Sequence, residues 1–154
     1  HHIKTSRVTS KEGTLSANKL DIRVNDTEID ASDIVYCINT QKFAIDLKSN
    51  NIDPADVALF VPRFAHLNKA FTIDANFEGE LPQADIAKLI VEYGTSTKID
   101  LVGHIEDYNK YDNADVALNL KELRTTQSDL DAFIKIGNKE TVLPDQVKAL
   151  GNLT

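Results

Sequence analysis

The sequence is poor in cysteine, aromatic anchors and basic residues. Its 154 residues include no tryptophan, no methionine and one cysteine, Cys37. A single cysteine forms neither an internal disulfide nor a cysteine zinc site, and it does not fix the redox compartment. No apolar run approaches the roughly 20 residues of a membrane-spanning helix. No signal peptide is recognisable either, which leaves the location of a longer parent protein open.

The charge balance is acidic, with 24 Asp and Glu against 17 Lys and Arg. Nucleic acid selects a basic face, and an anionic membrane surface selects clusters of Lys and Arg, so neither is an expected partner. Hydrophobic residues make up 42% of the chain, which is typical of folded soluble proteins. We interpret residues 1–2 as a tag remnant and 3–154 as a single segment of a repetitive β-sheet protein.

Apolar and polar residues alternate through most of the chain. The alternating runs are 20–24, 43–47, 71–77, 89–93, 99–101 and 116–120. A strand presents successive side chains to opposite faces, so this pattern predicts a sheet with one apolar and one wet face. Parallel sheets covered on both sides show continuous apolar runs instead, which favours an antiparallel meander. The alternation changes parity near Asn18-Lys19, which predicts a β-bulge there.

Two segments break the alternation and predict short helices. In the first, Asp53 is a good N-cap, Pro54 suits the first helical position and Pro62 stops the run. In the second, Ser128 is the predicted cap and Gly137 the end. Helices of about two turns are too short to stand alone. We expect them to dock on the sheet through Leu59, Phe60, Leu130 and Phe133.

The two breaks are related by an internal repeat. Sliding residues 44–61 onto 117–134, an offset of 73, aligns a strand and its following helix, with Asp56 on Asp129 and Phe60 on Phe133. The match continues with a gap to Val147-Lys148-Ala149. The strand–helix unit therefore recurs near 43–61 and 116–134, and such repeats stack to share one apolar surface. A segment of such an array has raw edge strands, which we expect near 14–24 and 113–121, and these favour edge-to-edge association.

Most of residues 43–154 also resembles a known family. The similar segments are 53–62, 67–71, 73–79, 89–94, 99–105, 112–116 and 128–134. Their patterns of apolar residues, Gly and Asp resemble the AsmA-like proteins of Gram-negative envelopes, and within them the TamB-like branch (translocation and assembly module). Residues 3–42 fit only as generic strands.

The resemblance implies an elongated, curved antiparallel sheet of the trough-like, β-taco type. It implies a periplasmic protein whose parent is anchored in the inner membrane. Its apolar groove would carry phospholipid between the inner and outer membranes and support outer-membrane biogenesis. The implied partners are phospholipid or another acyl-chain ligand, neighbouring repeats of the parent and, through other parts of the parent, an outer-membrane assembly protein. The family's conserved C-terminal domain has no clear counterpart here.

The apolar stripe of the strands is the candidate site. Its groove candidates are Ile45, Leu47, Phe71, Ile73, Phe77, Leu89, Val91, Tyr93, Ile99, Leu101, Val116, Leu118 and Leu120. Two short helices are too few to cover the apolar face of about seven strands, so the face either folds on itself or stays partly open to ligand. The alternative function is a structural or interaction β-sandwich module of an envelope or surface protein, without a ligand.

No constellation points to catalysis, a cofactor or a metal. The many acidic residues alternate with apolar ones and are expected on the wet face. His66 and His104 have no ligand partners at metal-binding spacing. Residues 107–112 begin like a calcium loop but lack its sixth-position Gly and acidic twelfth ligand, which predicts a polar hairpin turn. Nucleophile elbows, phosphate loops and dinucleotide fingerprints are absent, so we do not expect an enzyme.

Overall fold

The computed structural model describes residues 2–107 and 115–137. Its strands are β1 (His2–Thr5), β2 (Val8–Lys11), β3 (Thr14–Val24), β4 (Thr27–Cys37), β5 (Lys42–Ile52), β6 (Phe71–Glu80), β7 (Ala84–Tyr93), β8 (Thr97–Glu106) and β9 (Asp115–Arg124). Its helices are α1 (Pro54–Ala58), a 3-10 helix (Pro62–His66) and α2 (Gln127–Gly137). Beyond Asp107, the predicted polar turn lies outside the described residues, as does the repeat match at 147–149.

The nine strands of the described residues form one open antiparallel sheet, whose spatial order follows the chain. The predicted mainly-β fold, an antiparallel sheet with two short helices, is confirmed. β1 and β2 lie end to end along β3 and form one edge, while β9 forms the other. The prediction of an edge at 14–24 is therefore wrong, because the short strands before it pair with β3. The second expected edge coincides with β9.

The sheet consists of two similar four-strand units. In the first unit (2–58), β1 and β2 together form the first strand, and β3, β4, β5 and α1 follow. In the second unit (71–137), β6 to β9 and α2 follow the same order. Residues 59–70, here called the linker, join the units. The second and third strands of each unit pair in the same register. The pair Leu20–Ala31 of the first unit corresponds to the pair Leu89–Leu101 of the second.

The parity change of β3 lies where the alternation places it. Leu15 and Leu20 pair with β4 residues on either side of Asp33, whose backbone has φ of +50°. The register of β4 against β5 shifts by one residue within 32–35. This shift returns Leu15 and Leu20 to the same face although five positions separate them. The second unit has a shift at the matching place in β7, within 86–89.

Helix α1 forms as its first residues predict, but it is shorter than expected. The Asp53 carboxylate accepts a hydrogen bond from the Ala55 N–H at 2.8 Å, and Pro54 is the first helical residue. The helix ends at Ala58, so Leu59 and Phe60 lie beyond its docked turn and are 67% and 79% exposed. The prediction that these two residues dock on the sheet is wrong.

Helix α2 begins at Gln127, two residues earlier than a cap at Ser128 would place it. The Thr126 hydroxyl accepts a hydrogen bond from the Asp129 N–H at 3.3 Å, so Thr126 is the N-cap and the assignment of Ser128 is wrong. The predicted docking of Phe133 is confirmed, since its ring meets that of Tyr93 edge-on at a centroid distance of 5.0 Å. Leu130 is half-buried.

The hydrophobic core lies at one end of the sheet. Its buried members are Ile52 at the end of β5, Leu67 in the linker, Phe71 at the start of β6 and Tyr93 at the end of β7. Residues of α1, the 3-10 helix and α2 pack around them, among them Val57, Phe64 and Phe133. In an antiparallel meander these strand ends adjoin, so the helices form a rim along one end of the sheet.

Candidate functional site

The strand register gathers the groove candidates on one face. Directly paired residues of neighbouring strands share a face. One row crosses five strands as Leu47, Ala75, Leu89, Leu101 and Leu120. The flanking rows are Ser49, Ile73, Val91, Ile99 and Leu123, and Ile45, Phe77, Ile86, Gly103 and Leu118. Val116 lies on the same face opposite Ile105. We call this surface the apolar face.

Two of the groove candidates belong to the helix-covered core. Phe71 and Tyr93 are paired in the row nearest the rim and are 9% and 1% exposed. Because the helices and the linker pack over this row, its side chains are not available to a ligand. These two residues are therefore corrected from groove to core positions.

The rest of the apolar face has no second layer among residues 2–107 and 115–137, since all their strands belong to one sheet and the helices pack at the rim. Most of its large side chains are half-buried among their neighbours. Val116, Leu118 and Leu120 on edge strand β9 are at least 50% exposed. The face is therefore a broad apolar surface, most accessible towards β9.

Glycine permits the close approach of β9 in one of these rows. A Cβ added to Gly103 would lie 2.6 Å from the Ala117 carbonyl oxygen and 2.6 Å from Leu118 Cδ2. The contact with backbone leaves no room for a side chain. Gly103 therefore lets the Leu118 side chain lie flat over β8 on the apolar face.

The opposite face is polar, as the alternation predicts. Cross-strand ion pairs join Lys88 to Asp74, Lys98 to Glu122 and His104 to Asp85, each at 2.6 Å. The hydrogen bond with Glu122 raises the pKa of Lys98, and the bond with Asp85 raises that of His104. Within the described residues, no group of three or more His, Cys, Asp or Glu side chains is arranged to hold a metal ion. The two faces thus differ sharply in chemistry.

A buried acidic residue fixes α2 to the sheet, a role that is not among the predicted site residues. The Asp129 carboxylate is 2% exposed and accepts hydrogen bonds from Lys69 Nζ at 2.5 Å, Ser96 Oγ at 2.6 Å and Thr97 Oγ1 at 2.8 Å. Burial raises the pKa of this carboxyl, but the bonds from Lys69, Ser96 and Thr97 outweigh burial and lower the pKa to about 2.

The first unit also has a buried carboxylate that holds its helix, but with different hydrogen-bond donors. Asp56 is buried and accepts hydrogen bonds from the Asn25 amide and from Thr27 Oγ1, the latter at 2.9 Å. The bond from Asn25 lowers the pKa of Asp56. Asp56 and Asp129 are each the third residue of their helix, and Thr27 and Thr97 each begin a strand.

This equivalence decides what the Asp129 cluster does. A serine, a lysine and a carboxylate together have the composition of an activated nucleophile. The counterpart around Asp56 has neither the serine nor the lysine, yet it holds its helix in the same way. Both clusters are therefore helix anchors. The signal was present in the sequence, where Asp56 aligns with Asp129 and a threonine precedes each by about thirty positions.

Comparison with protein-family models, curated proteins and solved structures finds no match to this chain. In residues 2–107 and 115–137 no helix has the length and apolar character needed to cross a membrane.

Proposed function

We propose that this chain is a segment of a periplasmic TamB-like or AsmA-like protein and that its apolar face forms part of a conduit for phospholipid acyl chains. One observation supports this more than any other: the apolar rows continue across five strands beyond the helix rim with no layer over them among the described residues. Monomeric soluble proteins rarely leave contiguous apolar patches larger than a few hundred Å².

An acyl chain suits this surface better than a compact polar ligand. Apart from Ser49, the rows consist of aliphatic side chains, Phe77 and Gly103, so they favour a long hydrocarbon over a molecule recognised by polar groups. Each methylene transferred from water contributes about 0.8 kcal/mol, so part of one chain suffices for measurable binding. The head group would stay in water, and phospholipids with different head groups should bind similarly.

Photo-crosslinking at two adjacent positions tests the proposal. Leu101 lies in the middle row of the apolar face, and Asp100 beside it in β8 is also half-buried but faces the polar side. A photoreactive residue at either position is incubated with vesicles of phosphatidylethanolamine and phosphatidylglycerol, and the adducts are identified by mass spectrometry. We expect lipid adducts at position 101 and few at position 100. Equal labelling at both, or none at 101, would refute the conduit.

The alternative is a structural or interaction module whose apolar face is covered by another protein surface. The described strands form one sheet, so such a module would need its second layer from elsewhere. The same crosslinking separates the two functions, because a face covered by protein gives protein adducts at position 101 and no lipid.

A further inference from the structure

Both edges of the sheet expose apolar side chains where a further strand would pair. On β9 these residues are Leu118 and Leu123, and on the opposite edge they are Ile3 and Val8. All four lie on the apolar face. Ile3 pairs with Ile22 and Ile22 with Ile29, which shares its face with Ala31 opposite Leu47. Val8 pairs with Ala17 and Ala17 with Ile34, which shares its face with Tyr36 opposite Phe43. Each side chain is more than half exposed. The outer backbone groups of these strands have no strand partner within the described residues.

The junction between the two units shows how such edges pair. β5 ends the first unit and β6 begins the second, and they pair antiparallel over most of their length. Ile45 lies opposite Phe77 on the apolar face. On the polar face Lys48 lies opposite Asp74, and at one end Lys42 forms an ion pair with Glu80 at 3.9 Å.

Because the two units are equivalent, the β5–β6 pairing predicts how β9 would pair with the β1–β2 edge of another copy. β9 is the counterpart of β5, because each is the fourth strand of its unit and is followed by the helix. β1 and β2 together are the counterpart of β6, because each pairs as first strand with the second strand of its unit. Placing a second copy's β1 and β2 on β9 in the β5–β6 register puts Leu118 opposite Val8 and Leu123 opposite Ile3. Two exposed apolar pairs are thereby covered.

Charges agree with the same register. Asp115 then lies opposite Lys11, where the junction has Lys42 opposite Glu80, and Glu122 lies opposite Lys4, where it has Lys48 opposite Asp74. Every one of these pairs joins opposite charges. At the junction the lysines lie on the fourth strand, β5, whereas at the proposed contact they lie on β1 and β2. Directly opposed charges of opposite sign stabilise a strand pair, while like charges destabilise it. A shift by one residue would break both matches and put the apolar side chains on the wrong face.

We infer that β9 binds the β1–β2 edge of a second copy of this chain, in the register that β5 and β6 use within the chain. The contact is heterologous, because it joins two different edges, so each added copy leaves a free β9 at one end and a free β1–β2 edge at the other. The sheet then grows by whole units with its apolar face continuous. This inference rests on the repeat geometry and is independent of lipid binding.

Disulfide trapping between two single-cysteine chains tests the register. With Cys37→Ser in both chains, Leu118→Cys protein is mixed with Val8→Cys protein under mild oxidation. Directly opposed residues have the Cβ separation that permits a disulfide, whereas residues two positions away are too distant. We expect mixed disulfide dimers in this mixture, and at least about tenfold fewer when Ser10→Cys replaces Val8→Cys. Similar yields from both mixtures, or no dimer at about 1 mM protein, would refute the inference.

A charge exchange tests the same contact without cysteine. Lys11→Glu places like charges opposite each other, so sedimentation should show association weakened by about fivefold or more. Adding Asp115→Lys to that chain restores the opposite signs and should restore association. Arg63→Glu changes net charge equally in the exposed 3-10 helix and is the control. Failure of the double variant to recover, or an equal loss with Arg63→Glu, would overturn the proposed register.

Discussion

The two helix anchors use the same position and different chemistry. In the first unit, Asp56 is held by a neutral amide and a hydroxyl from the turn and strand beside it. In the second, Asp129 is held by Lys69 of the linker as well as by Ser96 and Thr97. The lysine comes from the segment that joins the units, so the second helix fixes the linker and is fixed by it.

The contacts at the rim also tie the second unit, more than the first, to Asn68 of the linker. Tyr93, at the end of the second unit's β7, packs on Phe133, and its hydroxyl accepts a hydrogen bond from the Asn68 N–H at 3.0 Å. Val24 occupies the matching place in the first unit and has no hydroxyl. Beyond α1, Phe60 remains exposed. The second unit therefore holds Asn68 and Lys69 of the linker by hydrogen bonds with the side chains of Tyr93 and Asp129.

The largest expected effect comes from removing the tyrosine that joins linker and helix. Tyr93→Ala leaves a cavity beside Phe133 and deprives Asn68 of its partner, which should lower the free energy of unfolding by about 3–5 kcal/mol. Urea denaturation measures the change. Phe60→Ala is the matched aromatic control, and because Phe60 is exposed we expect a change within about 0.5 kcal/mol. Equal losses from the two variants would contradict the placement of the core.

Removing the carboxylates compares the two anchors directly. Asp129→Ala leaves Lys69 without its ion-pair partner and removes the carboxylate that accepts from the Ser96 and Thr97 hydroxyls, so unfolding free energy should fall by about 3 kcal/mol. Asp56→Ala leaves no charged residue without its partner, so it should lower the unfolding free energy by less. A double-mutant cycle with Lys69→Met measures the coupling between Lys69 and Asp129. Equal effects of the two Asp variants, or no coupling, would show that the lysine adds nothing.

Acid should weaken the second anchor over a defined range of pH. The pKa of Asp129 is about 2 in the folded protein, against the ordinary value of 3.8 that holds in the unfolded chain. Because the folded pKa is the lower, the stabilisation is complete above about pH 4 and is lost as pH falls towards 2. The loss should be about 2 kcal/mol. Urea denaturation from pH 6 to 2 measures it, and Asp129→Asn should flatten this part of the curve. An unchanged pH profile in that variant would contradict the lowered pKa.

The alternation of apolar and polar residues was sufficient to predict the sheet and the shared face of the groove candidates. Side-chain direction in a strand depends only on parity, so the parity change of β3 was visible in the sequence as well. Capping by Asp53 was equally local, because its bond reaches a residue two positions away.

The errors arose where tertiary contacts decided the outcome. Two threonines anchor the helices from about thirty residues away, and no local pattern marks them. The prediction that Phe60 docks assumed that the first helix extends past it, but α1 ends at Ala58. The sequence indicates only generic strands over residues 3–42, and the register shows that β1 and β2 together correspond to β6.

The order of the strands has a consequence for how the chain folds. Within residues 2–107 and 115–137, each strand from β3 onwards pairs with the next strand in sequence, and β1 and β2 both pair with β3, so these strands have no crossover. Contacts are therefore local for a β protein, and the entropy lost in closing each loop is small. A hairpin can form first and gain strands on either side, in the manner of one-dimensional repeat proteins. We expect the helix rim of the second unit, with its buried tyrosine and carboxylate, to be the slowest part to exchange its amide hydrogens and the outer strands the fastest.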